Sequence, residues 1–395
     1  MMRRRLQSLE FLRAACALSV LLNHLFDETT GLALHPVFVG LFSLGVEAVV
    51  GFFVLSGCVI SLQHYASRLK YLRARLLRIL PIYYVALAGS VVLMLLVGER
   101  FTNTELGGNV FFLQSLFWEP LHPLRFYIPS WSLSYELYYY LAFLALLAWP
   151  RLLLPLIAAS LAAGVALYFL PPTGPEVGLL HPLSLYCLWL AGVLVVALCR
   201  RGLALSVPSA AWLLAVGLCL TRLPLSTPAK FDFFRLLGFG VGFAALVWAL
   251  LAAEFDAMEE RPARTFEIGL VWRCLLAVCA VSALWRFSHS HAATKAAITT
   301  AVALFTIAPD LLSGLVARLV RPILPFMLYV AGLSYALYLV HYPLLQAFNS
   351  LTALPPPGRV TIVAALSFAL AHLLEYKFQP WLRRKIEAPL FMRRA

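Results

Sequence analysis

Long apolar runs, one after another and separated by short basic clusters, constrain this chain more than any other feature. A hydrocarbon core about 30 Å thick is crossed by about 20 helical residues. Runs that reach or approach this length occupy residues 9–26, 36–62, 79–97, 131–149, 152–170, 180–199, 203–220, 233–252, 267–285, 296–315, 323–346 and 360–381. The expected fold class is an all-α polytopic membrane protein. Trp272-Arg273 interrupts the ninth run and Pro309-Asp310 the tenth. Ten core transmembrane helices are therefore expected, with twelve as the upper count.

Charge gives the orientation. The chain has 395 residues, of which 62% are hydrophobic and only 12% charged, against roughly 25% charged residues in soluble domains. A formal net charge of +13 would suit nucleic acid only if the basic residues gathered on one soluble face. They sit instead between apolar runs, at Arg3 to Arg5, Arg68 to Arg78, Arg200 and Arg201, Arg318 and Arg321, and Arg383 to Lys385. That distribution follows the positive-inside rule. It makes the lipid bilayer the partner and leaves no nucleic-acid role; both termini are expected in the cytoplasm and the loop Asp27 to His35 outside.

The start MMRRR imitates a signal peptide, but Glu10 and Arg13 interrupt its apolar region and no small-residue cleavage site follows His24. It is expected to stay attached as the first helix. The tail after Trp381 is short and basic, so no appended soluble catalytic domain is expected. Seven cysteines occur without CxxC pairing, most of them (Cys16, Cys58, Cys187, Cys219, Cys279) inside apolar runs. They read as small core residues, not as disulfides or metal ligands. His289 and His291 have no third ligand beside them, so no metal site is expected.

The first run, LEFLRAACALSVLLNH, is the exception among the apolar segments because it carries Glu10, Arg13 and His24. A charge at membrane depth costs at least ~2.5 kcal/mol on insertion scales, which makes such residues functional candidates. Eleven residues separate the positions of Arg13 and His24, which returns them to nearly the same helix face about 16 Å apart. Glu10 shares that stripe. In a later stretch, Arg68, Lys70, Arg73, Arg75 and Arg78 alternate with Leu69, Leu72, Leu76, Leu77 and Ile79. This is a basic amphipathic pattern that suits either an anchor on anionic lipid or phosphate capture. The loop Gly98 to Ser130 is expected outside, with the apolar piece Val110 to Trp118 re-entrant or interfacial.

These pieces together resemble acyltransferase family 3, membrane enzymes that move acyl groups, usually acetyl, from acyl-CoA to carbohydrates and other hydroxylated acceptors. Leu9 to His24 resembles the family's first helix, with Arg13 and His24 at its Arg/His spacing; Phe52 to Ser61 (FFVLSGCVIS) matches the second-helix motif. Arg75-Leu-Leu-Arg78 matches the paired arginines before the third helix. Ser130-Trp-Ser-Leu-Ser-Tyr-Glu136 matches the SWSLSxE element, and Ser334 to His341 (SYALYLVH) the penultimate-helix motif. Two acids depart from the pattern. Val50 stands where an acid usually precedes FFVLSG, with Glu47 three residues earlier, and Glu10 stands where Asp is usual. An apolar helix pair within 256–320 is additional, and the resemblance gives it no role.

The resemblance implies a single membrane acyltransferase domain over 1–395, at home in a bacterial cytoplasmic membrane, with acetyl-CoA or another acyl-CoA as co-substrate and no bound cofactor. It implies His24 and Glu136 as catalytic residues, Arg13, Arg75 and Arg78 as acyl-CoA contacts, and Glu10, Asp27, Glu47, Ser132, Ser134, Ser334, Tyr335, Tyr338 and His341 in support. The chemistry agrees, since acyl transfer to a hydroxyl needs a base and an imidazole with a pKa near 6.5 suits neutral pH. Glu136 is the leading partner for His24, with Asp27 as the local alternative. His24 acts either as base in a direct transfer or as a brief acyl carrier. The rival class is a transporter or flippase for a lipid-linked sugar, whose charges would line a path. Against it, the two halves carry no inverted repeat. A glycosyltransferase using polyprenyl-phosphate sugars would call for an acidic pair in the first external loop, and Asp27-Glu28 matches that only weakly.

Overall fold

A computed structural model describes residues 6–26, 43–116, 121–169, 175–223, 233–259, 263–288, 292–351 and 354–391. Among these, seven helical stretches are long and apolar enough to cross a membrane: Gly45–Leu62, Arg68–Leu96, Pro150–Phe169, Leu180–Arg200, Phe233–Asp256, Arg318–Leu351 and Pro356–Ile386. The chain is a helical multi-pass membrane protein. Five further expected segments lie on helices that are not among the seven: Gln7–Leu25, Trp131–Ala148, Val207–Leu220, Leu270–Phe287 and Ala292–Ile307. The first carries Glu10 and Arg13; the second carries Glu136, Ser132, Ser134 and four tyrosines.

The backbone divides into two units. The first takes residues 1–19, 34–64 and 149–328. Its described elements are the start of α1 (Gln7–Leu25), α2 (Gly45–Leu62), α6 (Leu153–Phe169), α7 (Pro175–Arg200), α8 (Val207–Leu220), α9 (Phe233–Glu259), α10 (Leu270–Phe287), α11 (Ala292–Ile307) and α12 (Pro309–Leu351) as far as Leu328. Helices α2 and α7 meet at glycine. A Cβ on Gly57 would lie 2.0 Å from the carbonyl oxygen of Trp189, and one on Gly192 would lie 2.0 Å from that of Val54. Small residues allow backbones in lipid to approach this closely, where dispersion replaces the hydrophobic effect as the driving force. Ser160 of α6 enters the α7 ladder, donating to Leu183 O at 2.6 Å and accepting from Cys187 N at 2.6 Å.

The sequence expectation differs at three places in this unit. Leu203–Leu205 is a strand, β1, paired in parallel with β2 (Arg264–Phe266), so among the described residues the regular structure is helical apart from this short ladder. Ser206 ends the strand by capping α8, accepting from Ser209 N, with Pro208 in the first turn. The tenth expected segment is split, because α11 stops at Ile307 and Pro309 opens α12, which runs unbroken through the eleventh. Cys279 is exposed on α10 rather than buried, as is Cys274; the other five cysteines are buried and none forms a disulfide.

The second unit takes residues 20–33, 65–148 and 329–395. It contains the last residues of α1, then α3 (Arg68–Leu96), α4 (Asn103–Val110), a 3-10 turn (Arg125–Ser130), α5 (Trp131–Ala148), α12 from Tyr329, α13 (Pro356–His372), a π turn (Leu373–Phe378) and α14 (Gln379–Phe391). The basic stretch and the third apolar run make one helix, α3, capped by Ser67. Pro81 lies inside it and has no N–H for Leu77 O. Gln379, just beyond the π turn, supplies the missing donor through Nε2 at 2.5 Å. The loop before α5 is tied down by side chains. Tyr83 donates to Asn109 O at 2.7 Å, Tyr127 donates to Tyr83 O at 3.0 Å, and Gln114 reaches Ser130 O at 3.2 Å. Of the expected re-entrant or interfacial piece Val110 to Trp118, residues 111–116 form turns and 117–118 lie outside the described residues.

Candidate active site

The second unit gathers most of the candidate residues. His24 lies in the last turn of α1 and His341 in α12, their ring centroids 5.3 Å apart. Tyr342 meets His24 edge-on at 5.0 Å. His341 is 1% exposed. Its Nδ1 lies 2.9 Å from Leu337 O, and because a carbonyl can only accept, that nitrogen carries the proton. Nε2 is then a bare acceptor, and among the described residues it has no hydrogen-bond partner. A buried acceptor left open is uncommon in proteins and calls for an explanation.

One turn earlier on the same face of α12, the ring of Tyr338 lies 6.2 Å from that of His341. Its hydroxyl donates to Pro129 O at 2.8 Å and shares a 2.8 Å bond with Ser132 Oγ. Pro129 closes the 3-10 turn that leads into α5, so the motif Ser130 to Glu136 is anchored to α12 at its start. Glu136 follows Ser132 by one turn and accepts from the Tyr140 hydroxyl a turn further on. Tyr140 O in turn accepts from Tyr71 of α3 at 2.9 Å. Ser134 and Ser334 are both buried, and among the described residues Ser134 Oγ has no partner.

The arginines stand on α3. Arg78 forms a two-pronged pair with Glu375 of the π turn, Nη2 to Oε1 at 3.0 Å and Nη1 to Oε2 at 2.5 Å. Its guanidinium also lies over the Tyr335 ring, 5.3 Å from the centroid, while the Tyr335 hydroxyl donates to Ile79 O at 2.8 Å. Arg75, one turn earlier, bonds and stacks on Tyr65, 5.7 Å from its centroid. A π turn is a costly irregularity that recurs at functional sites; here it turns Glu375 and Gln379 toward Leu77 and Arg78.

The remaining candidates lie in the first unit. Arg13 is paired with Glu10 at 3.3 Å on α1. Glu47, whose side chain is 4% exposed, faces Arg235 of α9 at 3.9 Å, and Arg222 donates to Ser43 Oγ at 2.9 Å. Asp27 lies outside the described residues. Among the described residues no cluster of three His, Cys, Asp or Glu side chains suits a metal ion.

Sequence reasoning passed over Glu375, Tyr342, Tyr140, Tyr65 and Arg235. For Glu375 the signal was present: it is an acid inside the last apolar run, the same warrant that singled out Glu10. The tyrosines carried no such signal, since a tyrosine near a membrane surface is ordinary.

The chain belongs to the acyltransferase 3 family, whose model, an acyltransferase domain, matches residues 6–376. No curated protein and no solved structure gives a significant match. The protein is thus a membrane acyltransferase, and its family match covers both of the units described above.

Proposed function

We propose that this acyltransferase moves an acyl group, acetyl by family habit, from acyl-CoA on the cytoplasmic side to a hydroxyl of a carbohydrate or glycoconjugate acceptor in a bacterial cytoplasmic membrane. His24 is the general base. It takes the hydroxyl proton as the oxygen attacks the thioester carbonyl; the carbon–sulfur bond then breaks, and the imidazolium returns the proton to the CoA thiolate. The products are an ester and a thiol, with no other reactant required. Glu136, held by Tyr140, supplies the negative charge that favours the imidazolium. Arg75 and Arg78 supply guanidinium charge for the CoA phosphates, Arg78 being oriented by Glu375. Ser132, Ser334, Tyr335 and Tyr338 shape the unit around the histidines, and Arg13, Glu10 and Glu47 are assigned to supporting charge pairs.

The observation that carries this reading is the pair of rings, His24 beside His341, with the Nε2 acceptor of His341 left open. A purely structural His341 would be expected to satisfy both of its ring nitrogens, and its Nε2 has no hydrogen-bond partner among the described residues. The test is acetyl-CoA turnover by purified protein in proteoliposomes, wild type against His24→Ala, with a panel of glycan acceptors and a no-acceptor control. Acceptor-dependent release of CoA that vanishes in a folded His24→Ala protein is the expected result. Equal turnover by the two proteins would remove His24 from the chemistry.

A further inference from the structure

The dipeptide Trp-Arg occurs twice in α10, at Trp272-Arg273 and at Trp285-Arg286. The second copy follows the first by thirteen positions, which is about 20 Å of helix. Both indoles are exposed, Trp272 at 65% and Trp285 at 48%. Between them Leu275, Leu276 and Val278 are exposed as well, so the face is apolar from one pair to the other. Tryptophan and arginine at both ends of an exposed apolar stretch are the anchors that mark the two interfaces of a membrane. Trp285 is also held in place by α11: its Nε1 donates to Thr299 Oγ1 at 2.9 Å, and the Lys295 ammonium lies 5.9 Å from its ring centroid.

The helices packed on α10 repeat this height. From Lys295 to the end of α11 at Ile307 is about 18 Å, and the 14 residues of α8 make about 21 Å. Contacts follow one another in order along the group. Ser209 of α8 accepts from Ile268 N just before α10, Ala215 clusters with Ala277 and Val302, and Cys219 clusters with Ala280 and Leu284. The three helices therefore lie side by side, and their lengths do not add. Other spans of the same unit are longer: Leu180–Arg200 has 21 residues and Phe233–Asp256 has 24, about 32 and 36 Å.

A hydrocarbon core is about 30 Å thick. Tilting a helix only lowers the height it covers, so tilt cannot close a gap of about 10 Å. Side-chain reach cannot close it either, because both indoles lean toward the helix N-terminus and their separation is kept. A short apolar stretch is accommodated by thinning the bilayer or by association with another copy; anchors exposed at both ends of the face favour lipid. We infer that α8, α10 and α11 cross the bilayer as one group and hold it at about 20 Å, two-thirds of its usual thickness, along the exposed face of α10. The helix pair α10–α11, to which the family resemblance gives no role, thus acquires one.

The inference stands apart from the acyl-transfer reading, and its test does not use activity. Two rings about 20 Å apart cannot both sit at head-group level in a layer of about 30 Å; at least one must lie about 5 Å or more inside it. The full chain is reconstituted in dioleoyl phosphatidylcholine mixed with brominated analogues that carry bromine near the carbonyl, at mid-chain or near the terminal methyl. The fluorescence of each indole is the difference between wild type and Trp272→Phe or Trp285→Phe, with the tyrosine variants used if either protein fails to fold. Both indoles should be quenched about threefold more strongly by bromine near the carbonyl than by bromine at mid-chain. Stronger quenching of either indole at mid-chain would overturn the thinning. Quenching by none of the lipids would overturn it too, and would place a second copy of the chain on this face.

Discussion

The Arg78–Glu375 pair allows structure and function to be separated by one set of variants. The Glu375 side chain is 5% exposed and that of Arg78 33%. Removing one partner of a buried ion pair costs ~3–5 kcal/mol, mostly from the charge left behind. Because a third of Arg78 is exposed, solvent screening should bring Glu375→Leu below that range, to about 2–3 kcal/mol. The double variant Arg78→Leu/Glu375→Leu removes both charges and should recover to within about 1 kcal/mol of wild type. Titration of sodium dodecyl sulfate into detergent micelles, followed by tryptophan fluorescence, reads these differences. Activity then divides the roles. If Arg78 also meets the donor's phosphate, the stable double variant loses one charge-assisted hydrogen bond of ~1.5–3 kcal/mol, and its KM for acyl-CoA rises by about 10- to 100-fold. A Glu375→Leu protein as stable as wild type would refute the energetic argument. A stable double variant with an unchanged KM would leave Arg78 as a strut.

With His24 as base, the neutral imidazole is the active form, so kcat/KM should fall tenfold per pH unit on the acid side and level off where the imidazole is neutral; a flat profile from pH 5 to 8 would exclude this role. Gln379→Leu leaves Leu77 O without a donor at the cost of about 1–3 kcal/mol, and Pro81→Ala, which restores the helical N–H, should cancel most of that loss in detergent unfolding; additive losses would show that Gln379 acts otherwise. Gly192→Val places a side chain where a Cβ would already lie 2.0 Å from Val54 O, so α2 and α7 must separate, and the protein should fail to be recovered as a monodisperse species in detergent. Normal yield and unfolding behaviour would contradict the close approach.

Helix positions were legible because bilayer thickness imposes a length on apolar runs, and most of the expected segments lie within helices of the structure. Their ends were less legible. Whether Arg68 to Arg78 forms a separate surface helix or continues into the next span depends on Gln379 satisfying the carbonyl freed by Pro81, three hundred residues away in sequence. The division of the tenth segment at Ala308 was signalled by Pro309-Asp310 and reflects proline's preference for a helix start; what the apolar average did not register is that α12 then runs unbroken through the eleventh segment. In the site, His24 announced itself as an ionisable residue in an apolar run, while Glu136, Arg75 and Arg78 were singled out by the motifs of the family resemblance. Their partners carried neither signal, because a tyrosine hydroxyl or a carbonyl exposed by a 3-10 turn becomes visible only when the helices are placed.

Partnering also ranks the charged groups of the protein by what they can do. In hydrocarbon each polar atom needs a partner from the chain itself, so a satisfied group is sufficiently explained by structure and an open one is not. Glu10 has Arg13, Glu47 has Arg235, and Glu375 has Arg78. The Tyr338 and Tyr335 hydroxyls both reach backbone carbonyls. His341 Nε2 does not, although its other nitrogen is fixed on Leu337 O and its ring is fully enclosed. A histidine kept in one tautomer, with its acceptor bare and a second imidazole beside it, is suited to receive a proton that is absent in the resting protein. The expected consequence separates His341→Gln from His341→Phe. Glutamine retains an acceptor in a similar volume and should keep measurable turnover, whereas phenylalanine packs well, relieves an unpaired atom and should stabilise the fold while abolishing acyl transfer. A phenylalanine variant that is both more stable and fully active would show that the open nitrogen has no part in the reaction.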